Sequence, residues 1–283
     1  MRVGERTQVM GILNVTPDSF WDGGRTPTVE AALDRARRMA GLGADWLDVG
    51  GESTGPGSSD VSADEERRRV VPVIAALARE LSLPLSVDTT KAAVAREALA
   101  AGAAMINDVS ALRWDPEMAG VIARAGARVV LMYAKDETPR TTTRDVAYDD
   151  VIETILAFLR ERIEVARAAG IAPDRIVVDP GLGWFVGADP RYSYEILRGL
   201  DRLRALGHPV LIGPSRKSFL AYTDLRPPLP VAGRLMPTAA AVAVAAWMGV
   251  DIVRVHDVEE MRQVVATVDA IRRPERVAGA ARG

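Results

Sequence analysis

The sequence predicts one α/β domain, a (β/α)8 TIM barrel over residues 1–273, with a flexible tail at 274–283. Three observations carry this. Short apolar runs recur at 7–13, 46–49, 84–87, 104–106, 128–132, 175–178, 209–212 and 251–255. Helical patterns separate them, so strand and helix alternate through the chain at about 35 residues per unit, the rhythm of a parallel sheet that closes after eight units. Gly43-Ala44, Gly102-Ala103, Gly126-Ala127 and Gly249-Val250 stand just before strands, where a left-handed glycine ends a helix. The rival is a doubly wound open sheet, whose edge strands would carry more polar residues than these runs do.

Taken in order, the first strand breaks at Asn14 into a loop of Thr, Pro, Asp, Ser and Gly that runs to Gly24. Such a loop is too long for a plain connector and is where α/β proteins place chemistry. Helices are expected at 27–42, 63–81, 92–101, 116–125, 149–169, 190–206 and 258–272, with a split segment at 216–248. Ala31, Ala32, Leu33, Ala36, Met39 and Ala40 form a core-facing stripe on the first helix. On the second, Asp64-Glu65-Glu66 precede Arg67-Arg68-Arg69, an order that suits i,i+4 pairs and the helix dipole, and reads as a solvated face. The split segment holds Pro227, Pro228, Pro230 and Pro237, then small residues at 238–248 suited to close packing, within the barrel or across a dimer. The Gly, Ala and Arg of the tail read as a frayed end.

Composition narrows the chemistry. A net charge of -2 argues against a nucleic-acid surface, so an anionic ligand has to be met by a local cluster. No run approaches the ~18 apolar residues of a membrane span, and no signal-peptide pattern opens the chain, so a cytoplasmic protein is expected. With no cysteine, disulfides, thiol nucleophiles and thiolate-bound zinc are excluded. His208 and His256 are the only histidines, which leaves a hard, oxygen-bound metal such as Mg²⁺.

In a parallel barrel the C-terminal strand ends form the active site. Here they carry Asn14, Asp48, Asp88, Asn107 with Asp108, Met132, Asp179, Gly213 with Ser215-Arg216-Lys217, and Arg254 with His256. So many converging polar groups would be costly to bury without a ligand. Asp88, Asn107 and Asp179 suit a flat heterocycle with donor edges, such as a pterin or a guanine-like ring. Lys217, Arg254 and His256 suit phosphate. Asn14 and the acids of its loop suit Mg²⁺ with waters. The residues thus point to a planar ring attached to a diphosphate.

Read together, MGILNVTPDSFWDGG at residues 10–24, Asp48-Val49-Gly50-Gly51-Glu52-Ser53-Thr54, Val87-Asp88-Thr89, Asn107-Asp108-Val109-Ser110, Asp179-Pro180-Gly181-Leu182-Gly183, Ser215-Arg216-Lys217-Ser218 and Arg254-Val255-His256-Asp257 resemble the dihydropteroate synthase family, from about residue 8 to residue 270. The resemblance implies a transferase of folate biosynthesis. It condenses 6-hydroxymethyl-7,8-dihydropterin pyrophosphate with p-aminobenzoate, with Mg²⁺, as a homodimer. It implies catalytic roles for Asp88, Asp179, Lys217, Arg254 and His256. The pterin would meet Asp88, Asn107, Met132, Asp179 and Lys217. Asn14, Thr54, Arg254 and His256 would hold pyrophosphate, with Asn14 on the metal. Thr54, Pro56, Trp184, Phe185 and Ser218 would border p-aminobenzoate, its carboxylate near the N-terminus of a helix after Lys217.

Three positions depart from the family pattern. Gly55 stands where an arginine is usual, Tyr133 where histidine is common, and Gly183-Trp184-Phe185-Val186-Gly187 replaces a segment that carries a lysine. Lys135 or Arg140, on the loop 134–148, is the expected replacement cation. His208, before the seventh strand, reads as a turn residue at the opposite end, and Arg216 suits either an ion pair or substrate. Two other functions share the fold: a pterin- or folate-binding methyltransferase-type barrel, and a non-catalytic pterin-binding paralogue.

Overall fold

The computed structural model describes residues 6–16, 29–138, 140–224 and 226–276. Eight parallel strands lie in sequence: β1 (Gln8–Asn14), β2 (Trp46–Gly50), β3 (Leu85–Asp88), β4 (Met105–Asp108), β5 (Arg128–Met132), β6 (Ile176–Asp179), β7 (Leu211–Ile212) and β8 (Ile252–Val255). Their order in the sheet is β6-β5-β4-β3-β2-β1-β8-β7, and a bridge between Val178 and Val210 joins the two ends. The barrel therefore closes, and the open-sheet alternative falls away.

Around it run α1 (Val29–Gly41), α2 (Ala63–Glu80), α3 (Ala92–Ala100), α4 (Met118–Ala125), α5 (Val151–Ala168), α6 (Pro190–Arg198), α7 (Leu200–Arg204), α8 (Leu235–Trp247) and α9 (Val258–Arg272). Ser62 caps α2, Asp150 caps α5 and Asp189 caps α6, each side chain accepting from first-turn amides left without helical partners. Gly43, Gly102, Gly126 and Gly249 all take positive φ, as their positions before strands predicted. The tail begins with a 3-10 turn at Pro274–Arg276, and residues beyond it lie outside the described ones.

Apolar packing forms three zones. Inside the barrel are Met10, Trp46, Met105, Val130, Val177, Leu211 and Ile252. A larger core fills the space between strands and helices, with Ala32, Leu33, Ala36 and Met39 of α1 in it. A small cluster of Val109, Met132 and Ala134 sits at the strand ends, against Trp114 and Phe185. Among the described residues no helix is long and apolar enough to cross a membrane.

Two expectations are corrected. The helix expected at 190–206 breaks at Gly199 into α6 and α7, because α5 approaches so closely that a Cβ on Gly199 would lie 2.1 Å from Ile152 Cδ1. Glu66 is not on a solvated face: it is fully buried, and its Oε2 accepts from Lys91 at 2.6 Å. Its neighbours do behave as surface charges, with Arg67 paired to Asp64 and Glu97, and Arg68 and Arg69 paired to Glu65.

Candidate active site

Arg254 organises the mouth of the barrel. Its Nε donates to Asp48 Oδ2 at 2.5 Å and its Nη2 to Asp88 Oδ2 at 2.8 Å. Asn107 Nδ2 donates to the same Asp48 oxygen at 3.0 Å. Residues from β8, β2, β3 and β4 are thus tied into one network, with Asp88 paired in register between Gly50 and Asn107. Asp48 is fully buried, so its charge is tolerable there only because these donors meet it. Burial raises the Asp88 carboxyl; Arg254 opposes the shift and Asp48 adds to it.

Asp179 and Lys217 occupy the other side. Asp179 Oδ1 accepts from the Gly181 amide at 2.8 Å. Gly181 has φ +67, and a Cβ there would lie 2.4 Å from the Tyr133 carbonyl oxygen, so the turn that presents Asp179 needs glycine. Burial pushes the Asp179 carboxyl up to about 6, against Lys217, the Gly181 amide and Arg254. Burial also brings the Lys217 ammonium down to about 8, with Asp179 opposing. Lys217 Nζ stands 5.1 Å from the Phe185 ring centroid, a cation–π contact that joins it to the apolar cluster around Met132. Acceptors, an amide and a cation therefore surround one apolar wall, as a flat polar heterocycle requires.

Two of the residues expected to border the second substrate, Thr54 and Trp184, are joined through Thr141. Its amide donates to the Thr54 carbonyl at 3.2 Å, and its hydroxyl to the Trp184 carbonyl at 2.8 Å. Trp184 and Phe185 lie in a 3-10 turn, both half-buried, while Pro56 is exposed. Ser218 opens a single 3-10 turn, Ser218–Ala221, not a helix. The expected carboxylate site at a helix N-terminus is thereby corrected: one such turn has almost no macrodipole.

The loop 134–148 folds over the 52–58 segment. Arg140 donates to Ser58 Oγ at 2.8 Å and to Asp60 Oδ1 at 2.9 Å, and also meets Glu52 and the Ser53 carbonyl. Glu52 is in turn paired to Lys91, which holds buried Glu66. Lys135 points inward to Asp136 and the Thr142 carbonyl and is not a free cation. Tyr133, one of the three departures, faces the outer core; its hydroxyl lies 3.1 Å from that of Tyr148 and its ring packs edge-on against Phe158. The change at 133 therefore lies behind the barrel wall.

His256 and Arg216 stand at the end of β8 and in the loop after β7. Ser215 Oγ lies 2.9 Å from His256 Nδ1, and Arg216 forms a bidentate pair with Asp257 at 2.8 Å for both contacts. Arg216 is thus structural. His208 is half-buried in the turn before β7, at the opposite end. Asp108 accepts from the Ser110 and Leu112 amides and shapes its own loop.

A metal has limited protein ligation here. Among the described residues no group of three His, Asp or Glu side chains comes together as a cage. Asn14 Oδ1 and the Asp88 side chain both lie beside Gly50, 3.8 Å and 3.5 Å from where its Cβ would be. A single amide oxygen at the rim fits Mg²⁺ held chiefly by water and substrate phosphates. Asp18 and Asp22 of the first loop lie outside the described residues.

Asp48, Trp114, Glu52, Lys91 and Arg113 have no role that sequence reasoning assigns. Arg113 bridges the loops after β4 and β5, donating to the Ala134 and Asp136 carbonyls. Asp48 was visible as a strand-end acid; the others lie on loops whose packing a sequence does not display.

Comparison with known proteins gives a consistent result. The family model described as "Pterin binding enzyme" matches residues 10–256. A dihydropteroate synthase of Synechocystis is 44% identical over 270 residues, covering 95% of this chain and 92% of that protein. A dihydropteroate synthase structure from Clostridium difficile, obtained in the presence of pteroic acid, superposes with TM-score 0.87 at 45% identity, covering 96% of this chain and 98% of that one. A Xanthomonas albilineans dihydropteroate synthase with 4-aminobenzoic acid gives TM-score 0.86 at 43% identity, covering 95% and 94%.

The working charge state expected from these shifts has Asp179 ionised and Lys217 protonated. Since the first titrates at about 6 and the second at about 8, kcat/KM should follow a bell, falling below the lower value and above the upper. Initial rates from pH 5 to 9.5 in one mixed buffer test this. A profile flat across that range would contradict the assignment.

Proposed function

The chain belongs to the dihydropteroate synthase family, and from that premise we propose how its rim residues divide the work. The enzyme joins 6-hydroxymethyl-7,8-dihydropterin pyrophosphate to p-aminobenzoate, giving 7,8-dihydropteroate and pyrophosphate. The observation that carries the assignment of roles is the buried Asp179 beside Lys217, across the mouth from the Arg254 network.

Asp88, Asn107 and Asp179 take the donor edge of the pterin, with Met132 against its face and Lys217 on its rim. Ionised Asp179 stabilises the positive charge that spreads into the ring as the methylene C–O bond breaks. Arg254 commits Nε and Nη2 to Asp48 and Asp88, and its remaining N–H donors are left for the departing diphosphate. His256, Asn14 and Thr54 complete that anion site. Asn14 would hold Mg²⁺ together with the phosphate oxygens, and the ion would supply further positive charge to the leaving group. The neutral aryl amine then attacks the methylene carbon, a C–N bond forms, and the amine releases its proton to water. Thr54, Pro56, Trp184, Phe185 and Ser218 hold the amine in line, so catalysis on this side is positioning.

Gly55 does not lie in the left-handed region, and a Cβ there would meet only Ser53 Oγ, at 3.6 Å. The backbone does not demand glycine. Arg140 instead stiffens the 52–58 segment from the neighbouring loop, which narrows the expected replacement cation to Arg140 and gives it a holding role. A cytoplasmic homodimer is part of the proposal. Met236, Ala240, Val244 and Trp247 form an exposed stripe on α8, beside an apolar groove of about 380 Å³ lined by Tyr194, Leu197, Leu220, Pro237 and Val244. A second copy of this chain is the partner that a self-complementary apolar face suits. A monomeric mass by light scattering would refute it.

The direct test is pyrophosphate release with Mg²⁺ and the pterin diphosphate, with and without p-aminobenzoate. Release that depends on the amine is expected; pterin binding without release would leave the methyltransferase-type or binding-only alternatives. In the same assay Arg140→Ala should raise KM for p-aminobenzoate by about tenfold, by loosening the segment that carries Thr54 and Pro56, with pterin affinity unchanged. Lys135→Ala should chiefly lower the melting temperature, because buried Asp136 loses its partner.

A further inference from the structure

We propose that Ser215 fixes His256 as the neutral imidazole protonated on Nε2, making it a pure hydrogen-bond donor to the diphosphate and never its proton source. The inference rests on the synthase reading for the identity of the acceptor, but not for the state of the ring.

The geometry supplies the argument. Ser215 is nearly buried. Its Oγ accepts from the His256 backbone amide at 3.1 Å and lies 2.9 Å from His256 Nδ1. One hydroxyl offers one proton and two lone pairs. If Nδ1 carried hydrogen, Oγ would accept from both the amide and the ring, and its own proton would face no other acceptor recorded among the described residues. If Nδ1 is bare, the hydroxyl donates to it and both contacts are satisfied. The second arrangement avoids an unsatisfied buried donor, which costs more than a hydrogen bond gains. The proton then sits on Nε2, at the far side of the ring.

The surroundings keep the ring neutral. Burial, then the Arg254 charge, bring His256 down to about 4, with Arg35 and Arg216 adding to this and Asp257 opposing it. His256 also lines a cavity of about 270 Å³ with Arg35, Arg38, Asp257, Glu259 and Glu260, so the ring can be reached from outside, in surroundings of mixed charge. The neighbouring bidentate Arg216–Asp257 pair holds the same two loops together, and Arg216 takes φ 54 to make it. Two adjacent links between the β7 and β8 ends thus set the orientation of this ring. Ser215 is a positioning residue.

A ring fixed in this way differs from an imidazolium in function. It donates one hydrogen bond to a phosphate oxygen through the whole neutral range, and the diphosphate departs without taking a proton from it. The charge stabilising the leaving group is left to Arg254 and the metal.

The test is ¹⁵N NMR of the full chain labelled in histidine, with His208→Gln used to assign the two rings. The expected result at pH 7 is a bare Nδ1 and a protonated Nε2 on His256, with no titration of that ring above pH 5. A protonated Nδ1, or a ring titrating near the usual value of about 6.5, would overturn the proposal whether or not the protein makes dihydropteroate. Ser215→Ala should mix the tautomers and raise KM for the pterin diphosphate by about tenfold with kcat little changed, while Ser215→Thr keeps both near the starting values. If Ser215→Ala left the tautomer signal unmoved, Ser215 would not be its cause. Loss of condensation alone, with the tautomer as stated, would count against the synthase reading and not against this one.

Discussion

One guanidinium shared by two carboxylates is the constraint on which this molecule's chemistry depends. Arg254 rises from β8 and spans the barrel mouth to Asp48 on β2 and Asp88 on β3. A buried Asp48 without that partner would face a desolvation cost of several kcal/mol. The pairing in turn fixes Asn107, which shares the Asp48 oxygen. Barrel closure matters to function for this reason: β8 comes beside β1, and only then does Arg254 face the ends of β2 and β3. Each side of the mouth sets acids against a cation, Asp48 and Asp88 with Arg254 on one and Asp179 with Lys217 on the other.

Outside this centre a second chain of charges holds the loops. Glu66, Lys91, Glu52 and Arg140 link α2, the start of α3, the segment after β2 and the loop after β5. Thr141 and Trp184 extend the same connection to the loop after β6. The loops after β2, β5 and β6 are therefore bound to one another, whereas Asp48, Asp88, Asn107 and Asp179 stand on strand ends. Substitutions gather on the loop side, where Gly55 and the 183–187 segment depart from the family pattern.

The barrel was legible because its signals are local. Apolar runs, left-handed glycines before strands and polar residues at strand ends each need only a few neighbouring residues, and the strand boundaries differ from expectation by one or two positions. Gly199 escaped notice because its break is imposed by Ile152, a residue far away in sequence. Glu66 looked like one of a row of surface acids, and only the fold brings Lys91 over it. Asp88, Asn107, Asp179 and Lys217, expected to meet the pterin, lie together at the mouth because strand ends and the loops after them converge in any such barrel. Asp48 drew no role, since nothing in the sequence distinguishes an acid that touches a ligand from one that holds an arginine. The turn after Lys217 was read as a helix because a 3-10 turn and a first helical turn share the same composition.

Asp48 and Arg254, joined by a direct hydrogen bond, are expected to act as one unit in binding the pterin diphosphate. A double-mutant cycle on substrate affinity tests it, using Asp48→Asn, Arg254→Met and the pair, by calorimetry with Mg²⁺ present. A coupling of at least about 1 kcal/mol is predicted, because removing either partner should already disable the other. Strictly additive effects would mean that Asp48 and Arg254 contribute independently, and the shared unit would be ruled out.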